Sequence, residues 1–179
     1  MLDIGCGDGL LARRLAAIGG RVQAIDVDMD SIDRARQHDR ATSVQYVHGD
    51  FLRSDIPPES IDAVVCVAAL HHMDEAVALR RMRDLVRPGG TVAVVGLARG
   101  STPADLLLAV VATIANRALR LRRGWSEVRA PTCWPPPSSY RQIRRLALRE
   151  LPGVRYRRHL LWRYSLVWIK PERMAECRS

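Results

Sequence analysis

Lysine is almost missing from this chain. Of 28 basic residues only Lys170 is lysine, and the rest are arginine. A bias this complete looks like genomic base composition. The arginines are also scattered along most of the chain, so the net charge of +9 does not mark a dedicated nucleic-acid surface. Phenylalanine occurs once, and all four tryptophans and three of the four tyrosines lie beyond residue 124. The core of the first half is therefore expected to be aliphatic. The four cysteines, Cys6, Cys66, Cys133 and Cys177, form no Cys-x-x-Cys pair, which argues against a zinc site and against any metal. Cys6 and Cys66 sit in strand-like surroundings, where a small buried thiol is expected. Asp3 and the glycines after it interrupt any apolar start and nothing here resembles a secretory signal, so a reducing, cytoplasmic location is expected. No internal repeat is visible.

What is there begins at once. Residues 2–9 read Leu-Asp-Ile-Gly-Cys-Gly-Asp-Gly, a short apolar strand containing an acid, followed by glycine at 5, 7 and 9. Glycine lacks a Cβ, so such a turn folds tightly and lets a ligand approach the backbone. Strand and helix patterns then alternate. Helices are expected over 10–18, 30–37 and 74–86, the last ended by Pro88-Gly89-Gly90. Strands are expected over 22–26, 44–47, 61–68 and 91–97. This alternation predicts a parallel sheet with right-handed crossovers. After Gly100 a long, mostly apolar helix is expected over 103–121, then a stiff proline-rich loop over 130–139. A basic helix over 139–151 and two antiparallel strands over 154–160 and 164–170 complete the pattern.

The glycine turn admits two nucleotide readings. A dinucleotide site carries Gly-x-Gly-x-x-Gly with a pyrophosphate on the helix N-terminus. Here the third glycine comes one residue early, and Asp3 and Asp8 would repel a pyrophosphate. They suit a ligand with positive charge and hydroxyls but no phosphate, as S-adenosylmethionine is. Asp26 at the tip of the second strand can accept hydrogen bonds from two ribose hydroxyls, a geometry shared with NAD enzymes. Asp50, after the third strand, can accept an adenine amine with apolar Phe51 beside it. A turn or helix cap is the alternative role for Asp26 and Asp50.

LDIGCGDG, AIDVD, HGDF, IDAVVCVAALHH and LVRPGGTVAVV stand in order at ordinary spacing. Together they make residues 1–98 resemble a class I S-adenosylmethionine-dependent methyltransferase, of the small-molecule type related to ubiquinone and menaquinone biosynthesis enzymes. The resemblance implies an α/β Rossmann-like class I methyltransferase fold, a seven-stranded, mostly parallel sheet with one reversed strand in a C-terminal hairpin and helices on both faces. It further implies that Asp3, Gly5, Cys6, Gly7 and Gly9 line the methionine end of S-adenosylmethionine. Asp26 would hold the ribose, Val27 would pack on adenine, and Asp50 and Phe51 would take the adenine edge. Val67 or Ala68 would offer a carbonyl to the ligand ammonium.

One domain over 1–179 is expected, with a cofactor half at 1–98, an inserted lid and acceptor side at 99–153, and the hairpin at 154–170. His71 and His72 are the candidate catalytic residues. Either could take a proton from an acceptor; alternatively His71 shapes the pocket and His72 caps the next helix. In-line displacement from a sulfonium needs alignment above all, so no dedicated base is required. The expected acceptor is a small organic molecule. A catalytically inactive binding protein and an RNA or protein methyltransferase are the alternatives, the latter disfavoured because no Asn/Asp-Pro-Pro-Tyr segment follows the fourth strand. The apolar stretch at 103–123 is too short to span a bilayer, though its basic end could touch a lipid surface. Trp134, Tyr140, Trp162 and Tyr164 either line an acceptor pocket or fill the core. Family members carry tens of residues before the glycine motif, so an internal start is expected here, with weak cofactor binding as its consequence.

Overall fold

A computed structural model of the chain describes residues 1–39, 44–100, 135–159 and 162–172. Seven strands form one sheet: β1 (Leu2–Ile4), β2 (Val22–Asp26), β3 (Val44–His48), β4 (Ile61–Val67), β5 (Val86–Leu97), β6 (Arg155–Arg158) and β7 (Arg163–Ile169). Their order is β3-β2-β1-β4-β5-β7-β6. The β1–β5 pairings are parallel, whereas β7 is antiparallel to both β5 and β6. The single reversed strand is therefore β7, inside the terminal hairpin. β1 lies inside the sheet, with the chain winding outward through β2 and β3 on one side and β4 and β5 on the other. The carboxyl ends of β1 and β4 face a topological switch point, where open α/β sheets bind ligands.

Among the described residues four α-helices pack on the sheet: α1 (Leu10–Ala17), α2 (Met29–His38), α3 (Glu75–Leu85) and α4 (Tyr140–Glu150). Alternation along the strands divides the core in two. Leu2, Ile4, Val64, Cys66, Val92, Val94, Leu166 and Trp168 point to one face and pack with Leu79 and Met82 of α3 and Ile143 and Ala147 of α4. Val22, Ala24, Val44 and Tyr46 point to the other and meet Ala12 of α1 and Ile32 and Ala35 of α2. Tyr140 and Tyr164 are buried with the first cluster, so of the two roles open to them they fill the core. Trp134 and the 103–121 segment lie outside the described residues. Among the described residues no helix is long and apolar enough to cross a membrane.

The helix starts have local causes. Asp28 caps α2 by accepting from Ser31 N, Asp74 caps α3 by accepting from Ala76 N and Val77 N, and Ser139 and Gln142 form a reciprocal capping box on α4. The expected cap by His72 is thus corrected: a carboxylate two residues on accepts those N–H groups better than an imidazole would. A second correction concerns Pro88-Gly89-Gly90. α3 ends at Leu85 and β5 already begins at Val86, which pairs with Ile61 before the register shifts. The prolyl-glycyl segment is an irregularity within the strand, because Gly89 N donates to Lys170 O and Lys170 N to Gly90 O.

The single lysine closes this corner. Lys170 Nζ donates to the carbonyls of Val86 (2.8 Å) and Arg83 (3.2 Å) and pairs with Glu59 at 3.1 Å. A cation at the C-terminal end of α3 satisfies carbonyls that the helix leaves unpaired. Lys170→Met keeps the length of the side chain and removes its donors. It should cost about 1–3 kcal/mol, read as a lower urea midpoint at unchanged slope.

Candidate functional site

The glycine turn is held against β2. Gly5 N and Cys6 N both donate to Ile25 O, at 2.8 and 3.3 Å. Gly5, Gly7 and Gly9 have φ of 68°, 50° and 73°, a region L side chains rarely adopt. Their surroundings differ. A Cβ on Gly5 would overlap Ala69 Cβ, and one on Gly9 would meet the Tyr46 hydroxyl at 2.6 Å and Ala35 at 3.0 Å. A Cβ on Gly7 would meet nothing within 4 Å. Gly5 and Gly9 are thus packing positions, Gly9 also preceding α1 as its cap. Of the three, Gly7 alone faces open space, and Gly9 is buried.

Three carboxylates stand at this edge in three different states. Asp3 is 1% exposed, and its Oδ2 has no hydrogen-bond partner. Burial, and next the nearby Asp26 charge, push its pKa up to about 7, an Ala12 N–H offsetting part of this. Asp26 is half-buried and already engaged: Oδ2 accepts from Gly7 N at 2.8 Å and Oδ1 from Asp28 N at 2.9 Å. It does cap a turn, and each carboxylate oxygen keeps a further lone pair. Asp8 is exposed and bound to Arg34 Nε at 2.9 Å. It faces α2, so the negative character of the turn rests on Asp3 and Asp26 alone.

At the tip of β3, Gly49 N donates to Asp26 O, which ties the β2 and β3 ends together. Asp50 is exposed and accepts from Leu52 N at 2.8 Å as a cap. Phe51 turns away from this edge: it is 3% exposed, lies in the larger core cluster, and has the Arg81 guanidinium 5.6 Å from its ring. At the end of β4, Val67 is 43% exposed, and Ala68 takes φ 56° while donating to Val95 O. A non-glycine residue held there marks a backbone constrained by its surroundings. His71 is buried with Nδ1 unpartnered, and burial, then its neighbour His72, lowers its pKa below the usual 6.5, leaving it neutral near pH 7. His72 is exposed, its ring centroid 4.1 Å from that of His71. Cys6 is half-buried, its thiol pushed up to about 12 by burial and then by Asp3, which makes it inert.

The carboxyl edge thus gathers Asp3, Gly5, Cys6, Gly7, Asp26, Val27, Asp50, Val67, Ala68 and the two histidines, and leaves Gly9 and Phe51 in the interior. Leu10, Val27, Met29 and Val67 are exposed apolar side chains at the ends of elements meeting this edge. The packing partner Ala69 and the Ser31–Arg34 contacts carry no sequence signal of their own.

The model of the methyltransferase domain family matches residues 2–94, which contain the whole edge. The chain belongs to this family. S-adenosylmethionine is the methyl donor of this class I fold family. An uncharacterized methyltransferase of Mycobacterium tuberculosis is 38% identical over 172 residues, covering 96% of this chain and 87% of its own length. A ubiquinone biosynthesis O-methyltransferase of Xanthomonas campestris is 39% identical over 115 residues, 62% of this chain and 47% of that protein. A SAM-dependent methyltransferase from Aquifex aeolicus has the same fold, with a TM-score of 0.62 at 16% identity, over 94% of this chain and 80% of that one. The order and direction of the seven strands agree with the sheet expected for a class I methyltransferase.

Proposed function

We propose that the protein transfers a methyl group from S-adenosylmethionine to a small organic acceptor at the carboxyl edge of β1, β2 and β4. The unpaired, buried Asp3 Oδ2 beneath the glycine turn carries this proposal: a cationic ammonium is the group that such an acceptor atom lacks. Gly7 leaves open space where the ligand would lie against the backbone. Asp26 would accept the ribose hydroxyls with its outward lone pairs, exposed Val27 would cover adenine, and Asp50 would accept the adenine amine. Val67 or Ala68 would offer a carbonyl to the ammonium. S-adenosylmethionine supplies an activated methyl on sulfonium, which leaves to a nucleophile in line. The chain's residues bind, orient and exclude water.

For the acceptor, the name of the Xanthomonas relative supports a small organic molecule. His72 stands exposed after β4, its ring tilted 39° against neutral His71, where it can take the acceptor's proton. Incubating the protein and methyl-tritiated S-adenosylmethionine with cell extract, then separating small molecules, RNA and protein, tests this. Label is expected in the small-molecule fraction. Label in RNA or protein overturns the acceptor class, and bound cofactor without transfer points to a binding protein. His72→Ala should lower kcat about a hundredfold with the cofactor Kd unchanged. A loss under about tenfold assigns the rate to alignment alone.

A further inference from the structure

The glycine turn and the tip of β2 are joined by a closed ring of hydrogen bonds. Gly7 N donates to Asp26 Oδ2 at 2.8 Å, and Asp28 N donates to Asp26 Oδ1 at 2.9 Å. The Asp28 carboxylate accepts from Ser31 N at 3.2 Å and Ser31 Oγ at 2.6 Å. Arg34 Nη2 donates to Ser31 Oγ at 2.8 Å, with Asp28 Oδ2 at 3.8 Å. Arg34 Nε then reaches Asp8 Oδ1 at 2.9 Å, and Asp8 follows Gly7 in the chain. A second arginine pins the same residue from below, since Arg13 Nη1 donates to Asp8 O at 2.7 Å.

The ring has one long-range link between two side chains, Arg34 to Asp8. Every other contact is either within the N-terminal turn of α2 or at the Gly7–Asp26 junction. Opening the Arg34–Asp8 link frees the Asp8 side chain from α2 and leaves the turn held by Arg13 at Asp8 O, by the Gly5 and Cys6 N–H groups on Ile25 O, and by Gly7 N on Asp26. The Gly7 N–H that orients Asp26 Oδ2 then loses the side-chain tether beside it, while the Asp28 N–H on Oδ1 stays in place.

We propose that Arg34 is a positioning residue for the cofactor site: by gripping Asp8 it holds Gly7 and the Asp26 carboxylate in their ligand-ready arrangement. The inference rests on the proposed ribose role of Asp26. Arg34 and Asp8 act on the site through Gly7 and Asp26. Their side chains are 37% and 54% exposed, so the link is sensitive to salt and its effect is moderate.

The test is a double-mutant cycle on the full chain, with titration calorimetry of S-adenosylmethionine and turnover on the acceptor. Arg34→Ala and Asp8→Ala should each raise Kd about three- to tenfold, and the double variant should be no worse than either. The kcat at saturating cofactor should stay near the wild-type value, a split that general loosening of the fold would not produce. Arg34→Lys should recover part of the loss, because an ammonium can reach Asp8 but cannot hold Asp8 and Ser31 together in one plane. The wild-type Kd should rise with salt, and that of Arg34→Ala less steeply. Arg34→Gln carries the same expectation if thermal melts show that the alanine variant is unfolded. Unchanged Kd in both single variants, or fully additive losses, would overturn the proposal. Asp26→Ala separates the two levels. Should that variant bind normally, the cofactor role of Asp26 fails; should it bind weakly while Arg34→Ala binds normally, only the ring does.

Discussion

Asp3→Asn is expected to weaken S-adenosylmethionine binding by about a hundredfold or more, the effect of removing one partner of a buried charge pair. At pH 8 the same substitution should raise the thermal midpoint of the ligand-free protein. Both follow from the burial of Asp3, whose pKa stands at about 7 against an ordinary 3.8. The unfolded chain gives up this proton near pH 4, but the folded one keeps it until about pH 7. Wild-type stability therefore falls as pH rises through that window, and the full cost, about 4 kcal/mol, is present above it. Asparagine cannot ionise, so the slope contributed by this site should vanish in the variant. At pH 5, little more than one unit above the unfolded value, the gain should shrink to less than half, and the unpaired amide, costing about 1 kcal/mol or more, should offset most of what is left.

Binding responds with the opposite sign. A ligand ammonium favours the ionised carboxyl, so binding lowers the Asp3 pKa and releases a proton near pH 7. Affinity should rise from pH 6 to pH 8 by up to about tenfold per unit. Calorimetry at pH 7 in two buffers of different ionisation enthalpy should show proton release in the wild type and none in the variant. Binding within about threefold of wild type by Asp3→Asn would remove Asp3 from the site.

The second large effect separates two glycines that look alike in the sequence. Gly5→Ala should destabilise the fold by about 2–4 kcal/mol, combining left-handed strain with overlap on Ala69 in a packed interior. Gly7→Ala meets no atom within 4 Å and should cost about 1 kcal/mol of strain. Its new methyl would instead stand in the space proposed for the cofactor. Gly7→Ala should therefore fold nearly normally and bind S-adenosylmethionine at least about tenfold more weakly, as over-filling a fitted site does. Thermal melts and titrations on both variants check this. Equal loss of stability in the two would show that Gly7 is also a packing position.

Much of this was legible in the sequence, and the reasons are local. Period-two and period-3.6 patterns placed β2, β3 and β4 and the three helices of the first half within a residue or two. Glycine spacing and strand-end acids located the carboxyl edge, because a parallel sheet with right-handed crossovers brings such ends together whatever the side chains between them. The reversed β7 followed from two adjacent strand patterns with a short joint. Residue composition also foretold an aliphatic sheet, which holds for β1, β4 and β5.

Pattern did not reveal direction. Gly5, Gly7 and Gly9 share one spacing and one backbone region, yet Ala69 after β4 and Tyr46 of β3 decide that only Gly7 is open. Asp3, Asp8 and Asp26 are the same kind of acid in the sequence. The fold buries the first with one oxygen unpartnered, spends the second on Arg34 of α2, and engages the third with two backbone N–H groups. Phe51 is an apolar neighbour of Asp50 on paper and a core residue in the molecule. The sequence alone determined which elements form and which of their ends meet, because those depend on contacts a few residues apart and on chain handedness. Only the tertiary structure decided which of the residues at that meeting point are free to hold a ligand, because a charge or a cavity takes its state from whatever distant segment packs against it.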